Sequence, residues 1–251
     1  MFIKFLIQIL IVTFLSISAI AQQSVSLSEL KKSKTSESKI SDSVKNQTKT
    51  KDTVKFTEFE QEVFEEVNNV RQNPLKYVDY LQEYKKMLKG KVLYRPNQSA
   101  YLMNEGASVI DETISDLQNA TALRPLTASK LLTLAANNQL NDLKENPKLG
   151  HYGKDGSDFR KRLAKIGKSG KYASENINYK DKIARDVILS LIIDDGVKSR
   201  THRKNILNPE YNLLGVSCGI ANDNQMICVM VFADKFDEAK PSTQTVPIEV
   251  F

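Results

Sequence analysis

The sequence predicts an α+β fold, and two observations support this prediction. Apolar side chains recur at helical spacing in several segments between residues 56 and 194. Two strand-like runs, 213–220 and 225–233, follow these segments and are separated by the turn-forming residues Asn222-Asp223-Asn224. Helices followed by a short antiparallel hairpin, without regular alternation of the two, are typical of the α+β class.

Local signals delimit the helical segments. Thr57 and Glu60 match a capping box at the start of the first helix, and Asn73-Pro74 ends that helix. Thr127 or Ser129 is placed to cap the longest helix, which runs through residue 146. Residues 89–106 form a connector without clear periodicity. Further helices are predicted over 75–87, 105–119, 158–165 and 183–194.

The first 55 residues differ in composition from the rest of the chain. Residues 1–21 combine Lys4, an apolar run and an Ala19-x-Ala21 pattern, which predicts a cleaved secretory signal peptide. Residues 22–55 hold twelve Ser or Thr and eight Lys but no aromatic residue, which predicts a flexible leader. A folded domain is then expected over 56–237, with a C-terminal tail over 238–251.

The formal net charge of +6 in this chain of 251 residues lies mainly outside the predicted domain. Residues 56–251 are nearly neutral, with basic and acidic side chains interspersed. Because a nucleic-acid-binding domain concentrates positive charge on one face, we expect no nucleic-acid partner. The apolar core of residues 1–21, about Phe5 to Ile17, is shorter than the ~20 residues of a membrane span, so no stable span is expected. An uncleaved N-terminal anchor is the alternative.

Cys218 and Cys228 are the two cysteines of the chain, and they are equidistant from Asp223 in the predicted turn. If the hairpin keeps this register, the cysteines face each other on one side of the ladder and can form a disulfide. An oxidising destination after export favours the bond. Two buried free thiols are the alternative, and neither cysteine has the basic surroundings of a catalytic thiol.

The two histidines of the chain, His151 and His202, both lie in polar segments. Glu175 lies between them, and a helix ending in Asp194-Asp195 precedes His202. Two imidazoles and two carboxylates are a donor set that suits a metal ion. Fifty-one residues separate the histidines, so without further information the residues favour four solvated polar side chains over a metal site.

The order of these motifs resembles the CAP superfamily (SCP domain), which includes cysteine-rich secretory proteins, antigen 5 and the pathogenesis-related 1 proteins of plants. The resemblance covers about residues 56–236 and rests on motifs in a fixed order: His151, Asp155-Gly156, Glu175-Asn176-Ile177, His202-Arg203-x-Asn205-Ile206-Leu207 and Leu214-Gly215-Val216. The His-Arg-x-Asn-Ile form is that of microbial members. Membership implies a three-layer α-β-α sandwich with a small central antiparallel sheet.

The resemblance implies a cleft tetrad of His151, Glu175, Asp194 and His202. Leu191 occupies the place of a family tryptophan, and the second acid lies three residues later, at Asp194; Asp195 is the fallback. His151 and His202 are the implied ligands of a divalent cation such as zinc. A metal-free network that only shapes the cleft is the alternative. The chain lacks tryptophan and the additional disulfides of animal and plant members.

The function implied by the resemblance is non-enzymatic and extracellular or periplasmic. We expect binding of a hydrophobic small molecule, such as a sterol or fatty acid, or of an envelope component, by a monomer or weak dimer. No catalytic residue is assigned. One alternative is a metal-dependent, peptidase-like hydrolase that uses the tetrad, with Ser174 as a weak candidate nucleophile. Another is an adhesion or signalling module without a small ligand.

Overall fold

The computed structural model of the protein describes residues 54–238. The predicted signal peptide, nearly all of the predicted leader and the tail after Glu238 lie outside these residues. The helices are α1 (Glu58–Gln72), α2 (Pro74–Lys86), α3 (Ala107–Gln118), α4 (Lys130–Glu145), α5 (Phe159–Ala164), α6 (Ala184–Ile193) and α7 (Thr201–Ile206), with one 3-10 turn at Pro147–Leu149. The strands are β1 (Leu88–Lys89), β2 (Val92–Leu93), β3 (Tyr101–Leu102), β4 (Thr127–Ala128), β5 (Gly167–Ser169), β6 (Ala173–Tyr179), β7 (Leu213–Ile220), β8 (Met226–Ala233) and β9 (Phe236–Glu238).

A four-stranded sheet in the order β4-β7-β8-β6 lies at the centre of the domain. The three long strands are antiparallel, and the short edge strand β4 runs parallel to β7. Successive side chains of a strand point to opposite faces. Met230 and Phe232 therefore pack on one face of β8, while Val229 and Val231 pack on the other, and all four are fully buried.

Helices cover both faces of this sheet. Apolar residues of α1, α2, α3 and α6 form one core with Leu214, Val216, Met230 and Phe232. Apolar residues of α4 and Leu163 of α5 form the other core with Ile177, Val229 and Val231. This arrangement is the α-β-α sandwich that the resemblance implied, and it explains why β8 is a continuous apolar run without polar alternation.

The predicted helix starts agree with the caps that the structure contains. The Thr57 side chain accepts a hydrogen bond from the Glu60 amide, and the Glu60 carboxylate accepts one from the Thr57 amide, which confirms the capping box. Ser129 caps α4, whereas Thr127 belongs to β4. Pro74 is the first residue of α2, a position where its missing N–H costs nothing.

The structure also contains elements that the sequence pattern did not predict. The connector over 89–106 contributes to a small three-stranded sheet of two-residue strands, too short to produce a visible alternation. Strand β6 escaped prediction because it buries Glu175, Asn176 and Asn178, which read as loop residues. Helix α7 has six residues, too few for a clear apolar period.

Cys218 and Cys228 form a disulfide, as predicted from their positions around the turn. They lie directly opposite each other in the β7–β8 register, and the Ala221 amide donates to the Gln225 carbonyl to close the loop. No helix among residues 54–238 has both the length and the apolar character that crossing a membrane requires.

Candidate functional site

Asp194 and His202 are joined by two hydrogen bonds. Asp194 ends α6 in the left-handed conformation (φ 57°), and its side chain is 1% exposed. One carboxylate oxygen lies 2.6 Å from His202 Nδ1, and the other accepts from the His202 backbone amide at 2.8 Å. Asp194 therefore anchors the start of α7 and fixes the His202 ring in the same contact, leaving Nε2 as the nitrogen outside this bond.

His151 makes the equivalent contact with Glu175. Its Nδ1 lies 2.9 Å from Glu175 Oε1, and the Glu175 carboxylate on β6 is almost completely buried while the His151 side chain is 50% exposed. The loop that carries His151 is held by the buried Gln139 of α4, whose side-chain amide donates to the Gly150 and Tyr152 carbonyls. His151 is thus exposed on a loop with a fixed backbone.

The fold brings the two histidines together across 51 residues of sequence. Their ring centroids are 6.5 Å apart and the ring planes are inclined by 26°. In each ring, Nδ1 is hydrogen-bonded to a carboxylate. The four predicted tetrad residues therefore lie as two His–acid pairs side by side, whereas Asp195 takes no part in them.

Asp195 has a different set of partners. It accepts hydrogen bonds from the backbone amides of Asn104 and Glu105, at 2.7 and 2.9 Å, and from the Tyr101 hydroxyl at 3.3 Å. The carboxylate thus ties the turn after α6 to the segment before α3. Two adjacent aspartates that the sequence could not distinguish are separated by their contacts: Asp194 meets His202, and Asp195 holds a loop.

Arg162 is a site residue that the sequence reasoning missed. Its Nη2 donates to both oxygens of Glu175, at 2.8 and 3.1 Å, and to the His151 carbonyl at 3.0 Å. Glu175 is therefore shared between a histidine and an arginine that is itself 12% exposed. The only signal in the sequence was an arginine on a short helix soon after the histidine, which is too common a pattern to single it out.

Asn176 and Asn205 explain the asparagines of the two motifs. The Asn176 side chain donates to the His202 carbonyl at 3.0 Å and accepts from Asn205 at 2.8 Å. Asn176 of β6 thus binds the backbone of α7 at His202 itself. This bridge fixes the position of the α7 pair, Asp194 with His202, relative to the β6 pair, Glu175 with His151.

Arg200 and Arg203 anchor α7 on its other side, to α3. Arg203 is buried and donates to Glu112, Thr113 and the Ile192 carbonyl. The Arg200 guanidinium bonds both Glu105 and Glu112, and this bonding lowers the pKa of each carboxyl from its ordinary 4.5 to about 2. Both arginines are structural anchors of the loop that presents His202.

A cavity of about 330 Å³ adjoins the His202 side of the tetrad. Asp194 and His202 belong to its lining, and Arg95, Lys180, Asp181 and Asp195 contribute the other charged groups. Arg95 donates to Asp181 at 2.7 Å and to the Tyr84 hydroxyl at 2.9 Å. The apolar part of the wall comes from β2, β6, the end of α6 and the loops beside them: Leu93, Met103, Ile177, Leu191, Ile193 and Val197.

The donors of the tetrad fit a divalent cation only in part. Since each Nδ1 is bonded to a carboxylate, the two Nε2 atoms are the nitrogens left for a metal, the usual arrangement of metal-binding histidines. Among the described residues, no group of three or more His, Cys, Asp or Glu side chains is arranged to hold an ion. The residues fit an open two-imidazole site completed by water, and they do not fit a closed structural zinc site.

Ser174 does not have the geometry of an activated nucleophile. Its hydroxyl is buried within β6 and has no hydrogen-bond partner among residues 54–238. A nucleophilic serine needs a base within hydrogen-bond reach. Ser174 is therefore a structural residue of β6.

Several solved structures resemble this chain. They include an outer surface protein from Borrelia burgdorferi (19% identity, 54% of this chain and 95% of that chain, TM-score 0.39). They also include an extracellular protein containing a SCP domain from Bacillus anthracis (21%, 53% and 42%, TM-score 0.37) and a cysteine-rich secretory protein from Staphylococcus aureus (20%, 55% and 42%, TM-score 0.33). This chain thus spans less than half the length of the last two.

No curated protein matches the chain significantly. The family model described as "CAP: Cysteine-rich secretory protein family" matches residues 64–232, which is more than half of the chain and includes every residue of the tetrad and both cysteines. The chain therefore belongs to the CAP, or cysteine-rich secretory protein, family.

Proposed function

We propose that this CAP domain is an extracellular, non-enzymatic binding protein that holds a small amphipathic molecule, of the fatty-acid or sterol kind, in the cleft beside His202. The observation that carries the proposal is the cavity of about 330 Å³ that opens next to the tetrad. Its volume lies within the range of about 300–1,000 Å³ found for small-molecule pockets.

The walls of this cavity suit a ligand with one apolar and one polar end. Met103, Leu191 and Val197 belong to the apolar part of the wall. Two basic residues line it, and Arg95 is already paired with Asp181, so Lys180 is the candidate to bind an acid group. A fatty acid satisfies both parts of the wall, because its chain gains by leaving water and its carboxylate gains an ion pair.

The contacts of the two carboxylates argue against a hydrolysis in which either acid is the base. Such a base must be free to accept a proton from water. Glu175 is bonded to both Arg162 and His151, and Asp194 is bonded to the ring and the amide of His202. Both acids therefore hold and orient the histidine rings.

We also propose that His151 and His202 hold a divalent cation such as zinc through their Nε2 atoms. Zinc bound there would supply a Lewis-acidic centre beside the cleft. Glu175 and Asp194 orient the two rings, and Arg162 holds Glu175 in place. Calorimetric titration with zinc tests this proposal: heat that disappears in His151→Ala/His202→Ala supports it, and heat that persists in that variant contradicts it.

Displacement of a fluorescent fatty acid tests the binding function. Val197→Phe places a larger side chain in the cavity wall from a half-buried position, whereas Ile220→Phe makes the same kind of change at an exposed position at the end of β7. We expect the first variant to lose about ten-fold or more in affinity and the second to bind like the unmodified protein. A fluorescent sterol in a parallel titration identifies the better ligand.

Two outcomes would contradict this function. Absence of binding of both probes would favour the adhesion or signalling alternative. Release of product from a peptide library, lost in His151→Ala/His202→Ala, would favour the hydrolase alternative.

Export from the cytoplasm is the remaining part of the proposal. The disulfide between Cys218 and Cys228 supports an oxidising compartment. The signal-like segment over 1–21 supports the same destination. Export is tested by expressing the full chain in a host that secretes proteins and determining the mass of the recovered protein. A mature chain that begins near residue 22 is expected, and an intact N-terminus in the cytoplasm would contradict it.

A further inference from the structure

A second cavity, of about 400 Å³, lies between α4 and α5 and shares no lining residue with the proposed lipid cleft. Its lining includes Asn138 and Asn141 from α4 and Phe159, Leu163 and Ile166 from the α5 region. We call this cavity the α4–α5 groove. None of the four tetrad residues lines it, although Arg162 borders it and bonds Glu175.

The cations of the α4–α5 groove are already paired. Lys154 lies 3.3 Å from Glu145, Lys165 lies 2.6 Å from Asp155, and Arg162 is bonded to Glu175. Asp142 accepts from the Lys154 backbone amide. The lining holds three cations against two carboxylates, Asp142 and Asp155, so its charge nearly balances and the groove favours a neutral ligand.

The hydrogen-bonding groups left for such a ligand are two amides. Asn138 and Asn141 are exposed and three residues apart on α4, so their side chains lie on neighbouring positions of one helix face. Within residues 54–238 neither side-chain amide has a protein hydrogen-bond partner, whereas the neighbouring Asn137 accepts a hydrogen bond from the Ser217 hydroxyl. Each amide offers two donor hydrogens and one acceptor oxygen, which suits a ligand with many hydroxyl or amide groups.

The floor of the α4–α5 groove is apolar. Ala135 and Leu163 are buried beneath it, and Ile166 and Phe159 are half-buried at its side. A plain sugar offers hydroxyl groups to the amides but has no apolar substituent for this floor. An N-acetyl group has both an amide for the asparagines and a methyl group that gains by leaving water.

We propose that the α4–α5 groove binds a neutral N-acetylated oligosaccharide. The acetamido groups and hydroxyls bond Asn138 and Asn141, and the acetyl methyl groups lie on Leu163 and Ile166. This site is independent of the proposed lipid cleft, so each can fail without the other.

Calorimetric titration with the N-acetylglucosamine tetramer tests the proposal. Asn138→Ala/Asn141→Ala removes both amides from exposed helix positions, where alanine favours the helix. Asn69→Ala is the matched control, an exposed asparagine of α1 that does not line the groove. We expect the double variant to lose about 10- to 100-fold in affinity and the control to bind like the unmodified protein.

Two further titrations define the chemical class of the ligand. The glucose tetramer, which lacks acetamido groups, is expected to bind about ten-fold more weakly or worse. The affinity for the acetylated tetramer is expected to stay constant between about 0.05 M and about 0.5 M salt, because no ion pair forms. Absence of binding, equal binding of the two tetramers, loss of affinity with salt, or an unaffected double variant would each overturn the proposal.

Discussion

Asp194 contacts His202 with both of its carboxylate oxygens, one at the ring Nδ1 (2.6 Å) and one at the backbone amide (2.8 Å). The aspartate therefore performs two tasks: it ends α6 and caps α7, and it sets the orientation of the imidazole. Glu175 orients His151 through its ring alone and is itself held by Arg162. The pair of Asp194 and His202 therefore lies at a helix boundary, where the acid also holds the backbone of the histidine.

Substitution of Asp194 tests whether its carboxylate orients His202 for zinc binding. Asp194→Asn keeps the size of the side chain but removes the charge that faces the His202 ring. We expect zinc affinity to fall about 10- to 100-fold, the usual effect of losing a residue that orients a metal-binding histidine. Calorimetric zinc titration measures this loss.

Asp195→Asn is the matched control for this substitution. Asp195 bonds the Asn104 and Glu105 amides and does not contact His202, so its loss is expected to lower stability without changing zinc affinity. Equal losses of zinc affinity in the two variants would contradict the assignment of Asp194.

Gly215 allows α4 to lie against β7. A Cβ atom added to Gly215 would overlap backbone atoms of Leu132 and Thr133, which cannot move without displacing the helix. Gly215→Ala is therefore expected to lower the free energy of unfolding by about 1–3 kcal/mol or more, the usual cost of overpacking. Urea unfolding measures the change.

Gly219→Ala on the same strand provides the comparison. There the added atom would meet mainly the end of the flexible Lys144 side chain, which can move aside. We expect a smaller loss of stability than at Gly215. A larger loss at Gly219 would show that the α4–β7 contact does not depend on the glycine.

The sequence predicted those features that depend on local chemistry. Thr57 and Glu60 form their capping box because both partners are three residues apart, and the cysteines meet because the hairpin has a short, symmetric turn. The motif positions of His151, Glu175, Asp194 and His202 came from the family resemblance. Local pattern carried no sign that the two histidine rings would lie 6.5 Å apart.

The features that the sequence did not predict depend on contacts between distant segments. Arg162 belongs to the site because α5 brings its guanidinium within hydrogen-bond distance of Glu175, which is buried in β6. Asn176 reads as a loop residue, and only its bonds to the His202 carbonyl and to Asn205 explain why it is buried in a strand. The cavity beside His202 likewise combines residues 84–103 with residues 177–202.

The anchoring of α7 to α3 predicts a stability that depends on pH. The Arg200 guanidinium is the main group that lowers the pKa of Glu105 and Glu112 to about 2 in the folded protein, from an ordinary value of 4.5. Because the unfolded chain binds more protons between these values, the stabilisation is present above about pH 4.5 and is lost as the pH falls towards 2.

Arg200→Gln tests this dependence. The difference in melting temperature between the unmodified protein and the variant is expected to be largest above about pH 5 and to shrink towards about pH 2.5. A residual difference is expected, because Arg200 also donates to the Asp194 and Val197 carbonyls. A difference that stays constant with pH would contradict the role assigned to the two glutamates.

The disulfide closes a loop of ten residues in the β7–β8 hairpin. Loop-closure entropy predicts a stabilisation of about 2–3 kcal/mol for a loop of this length. Cys218→Ala/Cys228→Ala is expected to lower the urea midpoint accordingly, and reduction of the unmodified protein is expected to have a similar effect. An unchanged midpoint in both cases would mean that the hairpin is held by its ladder alone.

A crystal structure of the protein grown with hexadecanoic acid would show whether the cleft beside His202 holds an amphipathic ligand. Electron density for the acyl chain is expected along Met103, Leu191 and Val197, with the carboxylate near Lys180. An empty cleft at saturating ligand concentration, or acyl density only at another surface, would contradict the proposed function.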